Sequence, residues 1–341
     1  MEKKLLNVGF VGMGMGKAHA KGAQATDGAC VYALCDTNTE KLENAARELN
    51  VTNTFTDYRE MIADPALDAV IIASPDQLHR EMILACLNAG KHVMCEKPLA
   101  LTREDCEAIV EAVKKTNKKF MVGQICRYTP GFKQAKEIID SGAIGELTFV
   151  ESEYAHDYSG IYAKETWRSD PVRNGVVGGG CHAVDLLRWI AGNPEEIHAY
   201  GVHKTFADVT AYDDTHVAIM KFPNGVIGKV FISISCKRDY TMRSVFYGTK
   251  GTIIVDNTSP TMTVFKQDLF PGMDKHSTPI TLPVNINNHN AAGEFKEFYD
   301  TIVNDLPVKT DVFEGANTIA ACLGIMDSVE TGAPVKPKYF G

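Results

Sequence analysis

The chain has 341 residues, 45% of them hydrophobic and 23% charged, with a formal net charge of −8. That length allows two domains with substantial cores, and the composition is that of a globular rather than a disordered or fibrous protein. The acidic excess, with Lys and Arg interspersed among Asp and Glu, argues against a nucleic-acid partner, and no apolar run approaches the roughly 20 residues that span a bilayer.

The opening MEKKLLNVGFVGMGMG reads as a strand running into a turn. Glycines interrupt its apolar stretch and no small-residue cleavage site follows, so a signal peptide is not expected and the cytoplasm is the expected compartment. The nine cysteines form no CxxC pair and no repeated spacing, the pattern of buried free thiols rather than of a disulfide framework or a zinc site. No metal is expected.

Through residue 125, strand patterns at Leu5–Val11, Cys30–Cys35, Ala69–Ala73, His92–Cys95 and Phe120–Gly123 alternate with helical ones. The helices are predicted at Thr39–Leu49, Gln77–Ala89 and Arg103–Thr116, the last with Thr102 as N-cap. Such alternation predicts an α/β domain with a parallel sheet covered on both faces. Beyond it the texture changes. A helix over Phe132–Ser141 leads into runs of period two at Leu147–Tyr154, His198–Val202, His216–Phe222, Val226–Ser235, Ser244–Tyr247 and Thr252–Val255. PNG at 223–225 and GTKG at 248–251 read as hairpin turns with glycine supplying positive φ. Helical spacing returns over Asn290–Asn304 and from about Gly315 to Glu330. The expectation is a Rossmann-type domain over 1–125 and, over 126–341, an α+β domain with a large, mostly antiparallel open sheet.

VGFVGMGMGKAHA lies where the first strand meets the first helix. Gly12 and Gly14 stand where a dinucleotide-binding turn needs glycines, one for the tight bend and one for close approach to a pyrophosphate. The third glycine of GxGxxG is replaced by Lys17, with Gly16 one residue early. Asp36 ends the second strand 22 residues after Gly14, close to the spacing at which an acid grips the ribose diol. A carboxylate there repels a 2′-phosphate, and no arginine follows at 37 or 38, so NAD is favoured over NADP.

MCEKPL at 94–99 closes the fourth strand, and ligands of open parallel sheets bind at that end. The glycine loop, the acid and Glu-Lys-Pro together resemble the Gfo/Idh/MocA dehydrogenases, as do ASPDQLH (73–79), AGKHVMCEKPLALT (89–102), GQICRY (123–128), WRSDP (167–171) and GGGCHAVDLLRW (178–189). The resemblance spans nearly the whole chain. It implies that Lys97 orients the reacting hydroxyl and stabilises charge on its oxygen, that a cis peptide precedes Pro98, and that His182 is the catalytic histidine. It further implies cofactor contacts from Met15, Thr37, Ser74, Pro75, His79, Glu96, Gln124, Trp167 and Arg168, and substrate contacts from Arg127, Tyr154 and Asp157. A helix beginning near Cys181 puts its positive end by His182, favouring a neutral imidazole that accepts the substrate's proton.

The aspartate that relatives place four residues before this histidine is here Gly178; Glu153, Tyr154 and Asp157 are the candidates for its role, and Asp185 matches a later, more structural aspartate. The implied reaction is hydride transfer between NAD and a sugar, inositol or other polyol. The missing aspartate leaves room for a glycoside-cleaving or epimerising enzyme that uses bound NAD transiently. A non-catalytic NAD-binding regulator is disfavoured by the presence of Lys97. The resemblance also implies a homodimer or homotetramer formed through the second domain's sheet.

Overall fold

The structure is a computed structural model and describes residues 5–266, 278–286 and 289–341. In chain order the elements are β1 (Leu6–Val11), α1 (Met15–Gln24), β2 (Ala29–Cys35), α2 (Thr39–Leu49), β3 (Thr54–Phe55), α3 (Tyr58–Ile62), β4 (Ala69–Ile72), α4 (His79–Asn88), β5 (His92–Glu96), α5 (Arg103–Lys114) and β6 (Phe120–Gly123). There follow α6 (Pro130–Asp140), β7 (Leu147–Ala155), α7 (Ser159–Tyr162), α8 (Cys181–Ala191), β8 (Glu196–Val202), β9 (Thr215–Lys221), β10 (Ile227–Ser233), β11 (Thr241–Gly248), β12 (Gly251–Asp256), β13 (Thr261–Lys266), β14 (Thr278–Pro283), α9 (Ala291–Val303) and α10 (Val312–Thr331). They divide into two compact units, one of residues 1–125 and 291–316, the other of 126–290 and 317–341.

The first unit is a six-stranded parallel sheet in the order β3-β2-β1-β4-β5-β6. Strands β4 and β6 are buried along their whole length, as both faces of a parallel sheet are when helices cover them. The helices begin where the sequence provides caps: Asn38 accepts from the Lys41 amide and Thr102 from that of Asp105. The order reverses between β1 and β4, which makes the carboxyl ends of those strands the crevice of the sheet.

Residues 291–316, which the change in texture groups with the second domain, pack in this first unit. Helix α9 lies against α1 so closely that a Cβ on Gly22 would come 2.8 Å from the Ala292 Cα. Phe295 packs against Phe10 with tilted rings whose centroids are 6.3 Å apart, and the Val122 amide donates to Thr310 O. The apolar face Phe295–Phe298 is therefore core of the nucleotide fold; its periodicity says that it is buried, not against what.

The second unit is an eight-stranded sheet in the order β14-β13-β12-β11-β7-β10-β9-β8, antiparallel except for the central β7–β10 pair. Its inner face carries Val150, Ser152, Tyr154, Val230, Ile232, Met242 and Ser244, all buried, and α8 packs there. In register, Tyr154 stands opposite both Ile232 and Met242. The turn at 223–225 uses positive φ at Asn224 and Gly225, as expected. The turn at 248–251 does not. Its glycines are required by close approach instead, since a Cβ on Gly248 would meet Ile144 O at 2.2 Å and one on Gly251 would meet Phe265 O at 2.5 Å.

Candidate active site

In the first unit, the residues expected to hold the cofactor gather at the carboxyl ends of five neighbouring strands. Gly12, Gly14 and Met15 follow β1, Asp36 and Thr37 follow β2, Ser74 and Pro75 follow β4, Glu96 and Lys97 close β5, and Gln124 follows β6. Gly12 has φ +87°, and a Cβ on it would lie 2.3 Å from the carbonyl oxygen of Ala73, so the turn can pass there only as glycine. A Cβ on the exposed Gly14 would meet nothing within 4 Å. Gly14 is the N-cap of α1, no side chain caps that end, and no acidic residue occupies its first turn. A helix end with no side-chain cap, beside a bare glycine, fits a pyrophosphate. Gly16 is in ordinary contact with its neighbours, and Lys17 points away to an ion pair with Glu48 at 3.0 Å. The Asp36 carboxylate accepts from the amides of Met13 (2.7 Å) and Asn38 (2.8 Å), which ties the glycine turn to the end of β2.

The Lys97–Pro98 peptide is cis. Two buried side chains hold this corner. His79 places Nδ1 2.8 Å from Pro98 O and Nε2 3.1 Å from Ser74 O, which makes it a strut between the β4 and β5 corners, fully shielded from solvent. Glu96 accepts from the Lys97 amide at 3.2 Å and meets His19 Nε2 at 2.7 Å. Burial by itself would raise the Glu96 carboxyl, but the hydrogen bond and charge of His19, together with Lys97, hold it below its ordinary value. The Lys97 side chain is half-buried, and its ammonium has no hydrogen bond or ion pair among the described residues.

A third buried group, Glu294 of α9, puts Oε2 3.9 Å from His19 Nε2, and neither of its oxygens is within hydrogen-bonding distance of a partner among the described residues. Burial first, then the neighbouring Glu96 charge, pushes its carboxyl well above the usual range, which favours the neutral acid. His19, Glu96 and Glu294 have the donor types of a metal site. The 2.7 Å His19–Glu96 separation is nevertheless a hydrogen bond, well short of the ~3.3 Å between tetrahedral ligands at about 2.0 Å from zinc.

In the second unit His182 sits on the first turn of α8, buried. A π-helical turn over Val176–Gly180 precedes and continues into that helix, and the amides of Val176 and Val177 donate to Asn174 Oδ1. The capped, positive end thus lies at Val176 and not beside His182, which corrects the expectation that helix polarity acts directly on the imidazole. The ring is near-parallel to those of Tyr154 (6.1 Å) and His289 (6.2 Å), and its Nδ1 is 3.3 Å from Cys126 Sγ. Burial, then Tyr158 and Tyr240, raises the Tyr154 phenol far above its ordinary value; its hydroxyl is 2.8 Å from that of Tyr158.

The position of the missing aspartate is filled. A Cβ on Gly178 would lie 2.3 Å from Nη1 of Arg173, whose buried guanidinium also donates to Gly178 O at 3.1 Å. Of the candidate replacements, Asp157 is bound by Lys237 and Ser159, Glu153 is paired with Arg238 at 3.4 Å, and only Tyr154 reaches the His182 ring. Arg127 meets Asp185 through Nε at 2.8 Å and Nη2 at 2.7 Å, both groups buried, with Thr318 donating to the same carboxylate at 2.9 Å. Trp167 lies beneath the guanidinium groups of Arg168 (4.4 Å) and Arg173 (5.1 Å). Substrate specificity is expected from the second domain around Tyr154–Tyr162 and Asn287–His289, and of these Asn287 and Asn288 lie outside the described residues.

Residues 6–124 match the oxidoreductase family with an NAD-binding Rossmann fold, and residues 132–254 match the GFO/IDH/MocA C-terminal domain. The chain belongs to the Gfo/Idh/MocA oxidoreductases. It is 30% identical to the myo-inositol 2-dehydrogenase of Thermotoga maritima, over 77% of this chain and 79% of that protein. It is 31% identical to the levoglucosan dehydrogenase of Pseudarthrobacter phenanthrenivorans, over 73% of each. A levoglucosan dehydrogenase solved with NADH and levoglucosan superposes with a TM-score of 0.90 at 25% identity, covering 98% of this chain and 100% of that one.

This NAD-binding oxidoreductase therefore has the six-stranded Rossmann sheet and the mostly antiparallel second sheet expected of it. Three features escaped the sequence reading: the thiol at His182, the arginine at Gly178, and the His19–Glu96–Glu294 cluster. Cys126 is 56 positions from His182, and Glu294 is nearly 200 from Glu96, so no local spacing connects them. His19 alone carried a hint, as a histidine on the buried face of the first helix.

Proposed function

We propose that this chain is an NAD-dependent dehydrogenase that oxidises a secondary hydroxyl of a sugar, inositol or related polyol, and reduces the corresponding carbonyl in reverse. The observation that carries the reading is Lys97, a half-buried residue whose ammonium has no partner among the described residues, at the carboxyl end of β5 on a backbone held by Glu96 and His79. NAD, when bound, supplies the hydride acceptor. Gly12, Gly14 and the open end of α1 would take its pyrophosphate, and Asp36 its ribose. Lys97 orients the reacting hydroxyl and stabilises negative charge as it develops on the oxygen. His182 accepts the hydroxyl proton, so that charge does not accumulate as hydride leaves. The relatives that act on myo-inositol and levoglucosan support a cyclic polyol or anhydrosugar as substrate class.

The oligomer is proposed on the outer face of the eight-stranded sheet. Tyr200, Val217, Ile219, Ile227 and Tyr247 stand exposed on it, with Phe149 in register between Ile227 and Tyr247. These apolar side chains, set among the ion pairs of Glu151 with Lys229 and Arg243, suit a second copy of the chain.

The decisive assay screens inositols, anhydrosugars and aldoses with NAD, reading absorbance of the reduced ring, in the parent and in Lys97→Ala. Retained NAD affinity with turnover lowered at least a hundredfold is expected. Near-parental kcat in Lys97→Ala would refute the assignment. Protein that cleaves a glycoside with bound NAD and no net NADH would replace it with the transient-redox reading.

A further inference from the structure

The backbone that carries Lys97 is held by a carboxylate that is itself held. Glu96 is buried; its Oε2 accepts from the Lys97 amide at 3.2 Å, and its Oε1 lies 2.7 Å from His19 Nε2. Burial opposes charge on that carboxyl, but the hydrogen bond and charge of His19, then Lys97, outweigh it and favour the ionised form. An ionised carboxylate only accepts, so His19 Nε2 carries the hydrogen of the 2.7 Å contact. With one oxygen given to each donor, turning the carboxylate to improve one bond weakens the other. Strand β6 packs so closely that a Cβ on Gly123 would lie 3.1 Å from the Glu96 Cα and 3.4 Å from its Oε2.

The donor is as firmly placed as the acceptor. His19 lies on the buried face of α1 with Gly16, Ala20 and Ala23, fully shielded from solvent, and Gly22 presses that helix onto α9. Glu294 of α9 also faces His19, at 3.9 Å, but its burial favours the uncharged form, so Glu96 is the anion that the imidazole serves. Helix α1 begins at the glycine turn, with Gly14 as its N-cap. One ring thus spans from the cofactor helix to the corner of β5.

We propose that His19 is a positioning residue for Lys97, acting through Glu96: its Nε2–H fixes the carboxylate that fixes the Lys97 backbone. The inference rests on the reading of Lys97 as the group that orients the reacting hydroxyl. A reacting group displaced by 1 Å costs up to about a hundredfold in rate, so a loosened corner should show in turnover.

The test compares His19→Gln with His19→Asn in the full-length protein. The amide nitrogen of Gln reaches the place of Nε2, that of Asn only the place of Nδ1, and both side chains are neutral and polar. Hydrogen exchange at the Lys97 amide reads the tie directly, and kcat is measured with NAD on whichever of myo-inositol, levoglucosan and D-glucose is turned over fastest. His19→Asn should speed exchange and lower kcat, each on the order of tenfold, with NAD affinity within about threefold of the parent. His19→Gln should restore both to within about threefold. In a Lys97→Ala background His19→Asn should change residual turnover by less than about twofold, because the lysine it acts through is gone. Parental exchange and kcat in His19→Asn, or a tenfold loss that persists without Lys97, overturns the proposal, as does NAD affinity that falls in step with kcat. Where His19→Asn does not fold, His19→Gln decides: a tenfold loss of kcat at an unchanged melting temperature overturns it. Failure of the Lys97 reading shows separately, as near-parental kcat in Lys97→Ala alone.

Discussion

Replacing Arg127 by Ala would leave the Asp185 carboxylate buried without its principal partner. Asp185 is 1% and Arg127 8% exposed, and the guanidinium meets the carboxylate with two bonds of 2.8 and 2.7 Å. Removing one member of such a pair costs about 3–5 kcal/mol, because the remaining charge has neither water nor counter-ion. Here the Thr318 hydroxyl still donates at 2.9 Å and Arg188 remains at 3.8 Å, which places the loss near the lower end, about 3 kcal/mol. Urea unfolding followed by tryptophan fluorescence measures it cleanly. The chain's two tryptophans, Trp167 and Trp189, both lie in the second unit, and Trp189 sits 5.8 Å from the Arg127 guanidinium. The double variant Arg127→Met/Asp185→Leu should lose less than the sum of the two single variants, since no lone charge remains. An Arg127→Ala loss below about 1 kcal/mol, the size of an exposed pair, or strict additivity in the double variant, would show that the carboxylate is not dependent on this partner.

Gly12→Ala and Gly14→Ala should differ in kind. The first drives a Cβ to 2.3 Å from Ala73 O at φ +87° and should lower the melting temperature sharply; the second has open space, should melt as the parent does, and should weaken NAD at least tenfold by titration. A Gly14→Ala protein with parental NAD affinity would count against the pyrophosphate cradle. Asp36→Ala should weaken NAD more than NADP, with equal losses excluding Asp36 as the ribose reader. Glu294→Gln should make unfolding stability less dependent on pH. A carboxyl whose folded value is raised contributes stability below its ordinary value near 4.5, and that contribution is lost as pH rises, because the unfolded chain releases the proton. Gln keeps the shape and cannot ionise, so denaturant midpoints of the variant should fall less than those of the parent between about pH 5 and pH 8. Parallel midpoint curves would show that Glu294 is not a buried neutral acid.

Local pattern determined a large part of this protein. Alternating apolar runs and capped helices specify a Rossmann sheet because strand and helix periods are properties of a few consecutive residues. The glycine turn, Asp36 and the Glu-Lys-Pro corner are likewise short segments, legible with the chemistry they imply. Tertiary structure alone decided the rest. It carried α9 to α1, set Glu294 beside His19, filled the place of an absent aspartate at Gly178 with Arg173, and brought Cys126 and Met242 to His182. A buried face announces that it is buried but is equally satisfied by many partners. Which distant residue completes a contact is settled by the register of strands and the packing of side chains over the whole unit, and no spacing along the chain records that.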